Sequence, residues 1–389
     1  MSQRDTDIVY LDNAATSWPK PPAVVEAMVR FLRDVGASPG RSGHRLANEA
    51  ERIRLRAREG VAQLLGLSDP LRVIFTGNAT LALNIVLHGL LSAGGHVVIS
   101  GLEHNAVMRP LRSLEQRGVS ISIPPCAPDG TLEAERVADC LTARTRLVVV
   151  NHASNVCGTV LPIRQIGAIA HEHGVPLLVD AAQTGGCWPI DLTADNIDLL
   201  AFSGHKGMLG PTGTGGLAIA DGFDVSRLPP LIQGGTGSRS EHEVQPDFLP
   251  DRYEAGTPNS VGLAGLAAGV EYVLARGVSE IREHERRMTQ RLIDGLRAVA
   301  GVRIIGPGDA ARQVGVVSFT LLGRTPSQVA LALDEQFGIM CRPGLHCAPL
   351  AHRTLGTAPQ GTVRLAPGPF NTDADIDRAV AAVAALAGS

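Results

Sequence analysis

Residues 197–216 read IDLLAFSGHKGMLGPTGTGG. The apolar run LLAFS delivers Ser203, His205 and Lys206 into a glycine-rich turn. A strand with no polar alternation is buried on both faces, as in a parallel sheet covered by helices. The same reading extends along the chain. LRVIFTG (71–77) leads into the helical NATLALNIVLHGLL, and HVVIS (96–100) leads into a helix beginning near His104. RLVVVNHAS (146–154) precedes a helix through 163–173, while PLLVDAAQ (176–183) and GLAIA (216–220) complete the series. The predicted class is α/β: a large domain over 15–260 with a mostly parallel sheet, expected to be seven-stranded with these runs as six of the strands, flanked by helices. Residues 221–260 carry loop chemistry. A long helical stretch follows at about 262–300, then VRIIG, VGVVSFTL, a helix near 326–337, TVRLAP and a last helix from about 373. These predict a smaller α+β domain over 261–389, joined by part of 1–30.

Composition narrows the function. The 389 residues are 44% hydrophobic with a net charge of −3, and the isoelectric point is about 6.5. That balance offers no basic footprint for nucleic acid or an anionic membrane. No apolar run approaches the roughly 20 residues of a membrane span. The opening MSQRDTDIVYLD is polar and then strand-like, unlike a signal peptide. Six cysteines with no CxxC pair predict a reduced, cytoplasmic protein.

Ligands of such sheets bind beyond the carboxyl ends of the strands, where the polar residues collect. A lysine delivered there is costly to bury as a charge unless something pairs with it or consumes it. A Schiff base to pyridoxal phosphate (PLP) is one such use; a loop lysine facing water is the ordinary alternative. Asp180 closes the apolar strand PLLVD. It is placed either to partner a pyridinium or to cap the next helix. Gln183, one helical turn on, is placed to donate to a phenolic oxygen, or is a surface amide. Ala79 and Thr80 open a helix after TGN, an anion site or a simple cap. Ser203 and His205 flank Lys206 near the same phosphate position, and His104 is placed to stack on a ring or to serve structure alone.

In this order along one chain, the motifs YLDNAAT, FTGNAT, EHNA, NHASNVCGT, VDAAQ, FSGHK, GPTGTGG, EAGTPN, RPGLHCAP and VRLAPGPFNT resemble the class V aminotransferase family of fold-type I PLP enzymes. Within it the chain is most similar to group II cysteine desulfurases and selenocysteine lyases. The resemblance implies PLP as cofactor and Lys206 as the Schiff-base lysine. Asp180 and Gln183 are implied as pyridine and phenol partners, His104 as the stacking imidazole, and Ala79, Thr80, Ser203 and His205 as phosphate ligands. Thr257 is implied to reach the phosphate of a neighbouring subunit in a homodimer. Asn155 and Arg364 resemble substrate-carboxylate ligands; a guanidinium suits that two-point grip. Cys347, flanked by Arg342 and His346 that would favour its thiolate, resembles the nucleophile that takes sulfur from L-cysteine as a persulfide.

Alternatives remain open at this point. Selenocysteine lyase is one, and an aminotransferase or β-lyase with an incidental Cys347 is another. A metal held by Cys341, Cys347 and His352 fits no common zinc spacing. Leu345 stands where group II loops carry the first of two histidines, and Asn105 where a second histidine is common. The segment from GGTGSR to EAGTPN is short for a shielding hairpin. These departures leave open the chalcogen and the acceptor protein, of which an iron–sulfur scaffold is one type.

Overall fold

The structure is a computed structural model that describes residues 8–40 and 43–388. Residues 1–7, part of the N-terminal segment expected to join the small domain, lie outside the described residues. The large sheet has seven strands in the order Val73–Thr76, Gly215–Ile219, Leu199–Ser203, Leu177–Asp180, Thr145–Asn151, His96–Ile99 and Ser120–Ser122. Gly215–Ile219 runs antiparallel to both neighbours, and the other pairings are parallel. Ser120–Ser122, a short polar edge strand, has no apolar signature and escapes sequence reading.

Side chains alternate between two apolar layers. Val97, Ile99, Val149, Leu178 and Ala201 pack with Leu83, Val86, Val107 and Leu111 of the helices Ala79–Leu90 and Asn105–Glu115. Val98, Val148, Val150, Val179, Leu200 and Phe202 face the other way. They pack with Val61, Ile166, Leu266 and Val270 of Arg45–Leu64, Ile163–Glu172 and Ser260–Arg276. Each fully buried side chain of this size contributes about 1.5–3 kcal/mol, so the sheet's position is firmly held.

The stretch 262–300 is not one helix. It divides into Ser260–Arg276 and Val278–Arg297, bent by 81° at Gly277. Gly277 has φ 88°, a backbone state open to glycine but incompatible with continuing the helix. Core membership changes within the second helix, after Ile281. Leu263, Leu266 and Val273 join the large sheet's layer, whereas Met288, Leu292 and Leu296 pack against the second sheet. The expected boundary at 260/261 therefore falls at the start of a helix whose apolar face belongs to the large core.

The second sheet is antiparallel, in the order Arg342–Gly344, Thr362–Leu365, Val317–Leu321, Val302–Ile305. Its edge strand is the short Arg342–Gly344. Pro343 is tolerated there because an edge strand can spare one backbone donor. Val9–Tyr10 pairs with Ile339–Met340, stitching the N-terminal segment to this half.

Close backbone packing secures the turn after the strand Leu199–Ser203. Gly186 has φ 95°, and a Cβ there would lie 2.5 Å from the carbonyl of Gly207. Gly186→Ala is expected to lower unfolding free energy by about 2–4 kcal/mol through backbone strain and overpacking together. Urea denaturation checks this; an unchanged midpoint would show that the two backbones are free to separate.

Candidate active site

Parallel pairing aligns the strand ends. Asn151 pairs with Asp180, and Asp180 pairs with Ala201, two residues before Ser203. Beyond these ends lies a cavity of about 230 Å³. Ala79, Thr80, His104, Asn155, Asp180, Gln183, Ser203, His205 and Lys206 all line it, so sequence positions more than a hundred residues apart meet there.

Lys206 is half-buried at the cavity wall, and desolvation there pushes its amine down to about 8 from an ordinary 10.5, with Asp180 opposing the change. Asp180 is buried. Burial raises its carboxyl, while the Ala182 N–H that it accepts at 2.9 Å and the Lys206 charge act in the other direction. His104 caps the helix Asn105–Glu115, its Nδ1 accepting from Ala106 N at 3.0 Å. Burial and the charges of Lys206, Arg342, Arg109 and Arg364 push it down to about 4. Its ring is therefore neutral at pH 7, with the remaining proton on Nε2. His205 is likewise lowered to about 4, by burial first and Lys206 second. Gln183 Nε2 donates to Ala14 O at 3.1 Å. Asn78 caps the helix Ala79–Leu90, its Oδ1 accepting from Leu81 N at 2.9 Å, and Ala79 and Thr80 at the helix start line the cavity.

Four predicted residues stand apart from this cavity. Thr257 lines a separate cavity of about 190 Å³ with Phe75, Gly77 and Gly213. Arg364, 1% exposed on the small sheet, pairs with Asp12 at 2.7 Å and donates to Asn155 O at 3.0 Å. Arg342 pairs opposite Arg364 in the strand ladder. Cys347 is exposed, and Arg342 Nη2 donates to its sulfur at 3.6 Å. The Cys347 carbonyl accepts from Asn105 N at 2.9 Å, which sets the thiol turn against the residue after His104. His346 does not supply the expected charge beside that thiol. Burial drives its pKa down to about 2, and its ring is bonded to Thr362. Cys341, Cys347 and His352 form no metal group: among the described residues no cluster of three such ligands exists.

Sequence reading missed the clamp on the lysine turn. Thr16 Oγ1, Ser17 N and Lys20 Nζ all donate to the His205 carbonyl, at 3.1, 3.1 and 2.8 Å. Ser17 Oγ donates to the carbonyl of Lys206 at 3.0 Å. The one signal was the hydroxyl pair and lysine just after YLDNAA. Glu103 was missed as well. It is wholly buried and raised to about 8 by burial, with Oε1 accepting from Ser100 Oγ at 2.5 Å and Asn151 N at 2.9 Å.

The family model for class V aminotransferases matches residues 9–379. The chain belongs to that family. Class V aminotransferases are PLP-dependent enzymes, and the donor set fits PLP: a desolvated, neutral-prone amine for the aldehyde, a buried carboxylate for the pyridine nitrogen, helix-start amides for the phosphate and a neutral imidazole for the ring face. Among relatives, a probable cysteine desulfurase of Methanothermobacter thermautotrophicus is 37% identical over 95% of this chain and 92% of its own length. A cysteine desulfurase of Escherichia coli O127:H6 is 34% identical over 96% and 92%. The apo cysteine desulfurase of Thermococcus onnurineus superposes with a TM-score of 0.90 at 33% identity, covering 98% of this chain and 95% of that one. The E. coli cysteine desulfurase CsdA gives 0.85 at 30%, covering 97% and 94%.

The neutral amine is the form that attacks an aldehyde. PLP uptake by the apo-protein should therefore accelerate about tenfold per pH unit up to about pH 8 and then level off. Stopped-flow absorbance measures it; an inflection near the ordinary lysine value of 10.5 would show that Lys206 is not desolvated.

Proposed function

We propose that this protein is a PLP-dependent cysteine desulfurase that converts L-cysteine to L-alanine and keeps the sulfur on Cys347 as a persulfide. The observation that carries this reading is the Cys347 turn. An exposed thiol hangs on a backbone bonded to the start of the His104 helix, beside the Lys206 cavity. An aminotransferase needs no thiol there.

Bound PLP supplies the electron sink that makes the Cα–H of an amino acid acidic. The chain's own groups do the rest. Asp180, buried at a strand end, would hold positive charge on the pyridine nitrogen. Arg364 grips the substrate carboxylate, exchanging its contact with Asp12 for the incoming anion. The Lys206 amine, when free, would be the base that takes the Cα proton, and a lowered pKa suits that task near neutral pH. His104, held neutral, would cover the ring without adding charge.

The Cys347 sulfur then attacks the substrate sulfur. A new S–S bond forms as the Cβ–S bond breaks, the carbon side keeps the electron pair, and protonation releases alanine. Arg342 keeps a fixed positive charge beside the attacking atom.

In our reading the enzyme is a homodimer in which Thr257, facing its own separate cavity, serves the neighbouring subunit's phosphate. The exposed thiol passes its sulfur to an acceptor protein, an iron–sulfur assembly factor being one class. The six free cysteines suit a reducing cytoplasm. Selenocysteine would enter the same cavity, and parallel assays with both amino acids set the preference.

Incubation with L-cysteine should yield alanine together with a Cys347 persulfide, seen by mass spectrometry. Cys347→Ser should lower alanine formation by about 10³-fold or more, as expected when a nucleophile is removed, while the PLP absorbance stays intact. Turnover that survives this change would instead favour an aminotransferase or β-lyase.

A further inference from the structure

The turn that carries Cys347 has an unusual backbone. His346 has φ 47° and Cys347 has φ 58°, two consecutive non-glycine residues in the left-handed region. That conformation persists only where surrounding contacts over-determine it. The contacts are present. Asn155 Nδ2 donates to the His346 carbonyl at 2.6 Å, Asn105 N donates to the Cys347 carbonyl at 2.9 Å, and Ala348 N donates to Leu345 O at 2.8 Å.

The His346 side chain adds a fourth hold that reaches into the small sheet. His346 is 4% exposed, and its Nε2 lies 2.9 Å from Thr362 Oγ1. Thr362 Oγ1 lies 3.2 Å from Ser318 Oγ, and Ser318 Oγ lies 2.5 Å from Val156 O. Proton bookkeeping along this chain has one solution. A carbonyl only accepts, so Ser318 donates to Val156. Thr362 then donates to Ser318, and His346 must donate from Nε2 to Thr362. The tautomer is therefore fixed, with Nδ1 bare, and that nitrogen has no partner. Burial keeps the ring from taking a second proton. The His352 ring, 5.6 Å away centre to centre, backs it on another side.

We propose that His346 and Thr362 form a latch that sets where the Cys347 thiol stands, making both positioning residues for the sulfur-transfer step. The proposal rests on the desulfurase reading above. The latch joins three parts: the thiol turn, the two central strands of the small sheet through Thr362 and Ser318, and the loop at Val156 next to Asn155. Asn155 itself lines the lysine cavity and bonds the same turn. The thiol is thereby referenced to the cavity and not left on a free loop. His346 acts through a directed hydrogen-bond chain and not as a charge beside the sulfur.

The test uses the PLP-loaded protein mixed with L-cysteine. The change in PLP absorbance reports steps that need Lys206 but not the thiol, and alanine release reports the step that needs Cys347. Thr362→Val leaves the His346 N–H without its acceptor. It should slow alanine release by ~10²-fold, the cost of a displacement near 1 Å, with the absorbance change unaltered. Thr362→Ser should restore most of the loss. His346→Asn tolerates the left-handed backbone and lacks the ring; it should show the same split, and it carries the test if Thr362→Val fails to fold. Alanine release at the unmodified rate, equal loss in both readouts, or no recovery in Thr362→Ser would each overturn the latch. Cys347→Ser run in parallel separates the two readings. Alanine release that survives it removes the thiol from the chemistry altogether. Its loss there, with Thr362→Val behaving as unmodified protein, overturns the latch alone.

Discussion

The structure is organised around a desolvated amine and a buried carboxylate at the same end of one sheet. Lys206 and Asp180 both line the cavity, and desolvation shifts each toward its neutral form. For Lys206 the change from 10.5 to about 8 corresponds to a cost on the order of 3 kcal/mol for carrying its proton. A fold keeps such a liability where chemistry consumes it. An imine to an aldehyde would remove the lysine charge problem, and a pyridinium would give the carboxylate a partner. Parallel strands make the arrangement possible, because their carboxyl ends align and face one cavity.

Around that pair the chain spends many contacts on immobility. The His205 carbonyl collects donors from Thr16, Ser17 and Lys20. The glycine backbones at 186 and 207 approach so closely that neither turn can shift alone. Arg364 spans the two halves, holding Asp12 with one nitrogen and the Asn155 carbonyl with another. Asn155 in turn holds the thiol turn. Arg364 and the thiol turn thus share one connected set of hydrogen bonds through Asn155. A group delivered by the small sheet is positioned as firmly as one delivered by the large sheet.

Much of this was legible in the chain. Buried parallel strands leave unbroken apolar runs, and helices crossing over them leave a different period, so the large sheet could be read residue by residue. The strand ends then pointed to Asp180, Ser203 and Lys206, and the structure brings these to one cavity with His104, Thr80 and Gln183. Illegible features share a cause. Ser120–Ser122 is too short and polar to carry a pattern. Gly277 divides a helix whose apolar period continues on both sides. Arg342–Gly344 becomes a strand only because Thr362–Leu365 offers an edge to pair with.

What the sequence by itself determined is the kind of chemistry available: an amine, a carboxylate, an imidazole and a thiol, each tied to a recognisable turn or strand end. Spacing and apolar pattern suffice for that, since they depend on neighbours close along the chain. Tertiary structure alone decided protonation and placement. It made His346 a neutral donor where a charge was expected, set Thr16, Ser17 and Lys20 against a carbonyl some 185 residues away, and held Cys347 in a left-handed turn. Those outcomes depend on burial and on partners from distant segments, and no local pattern in the chain encodes them.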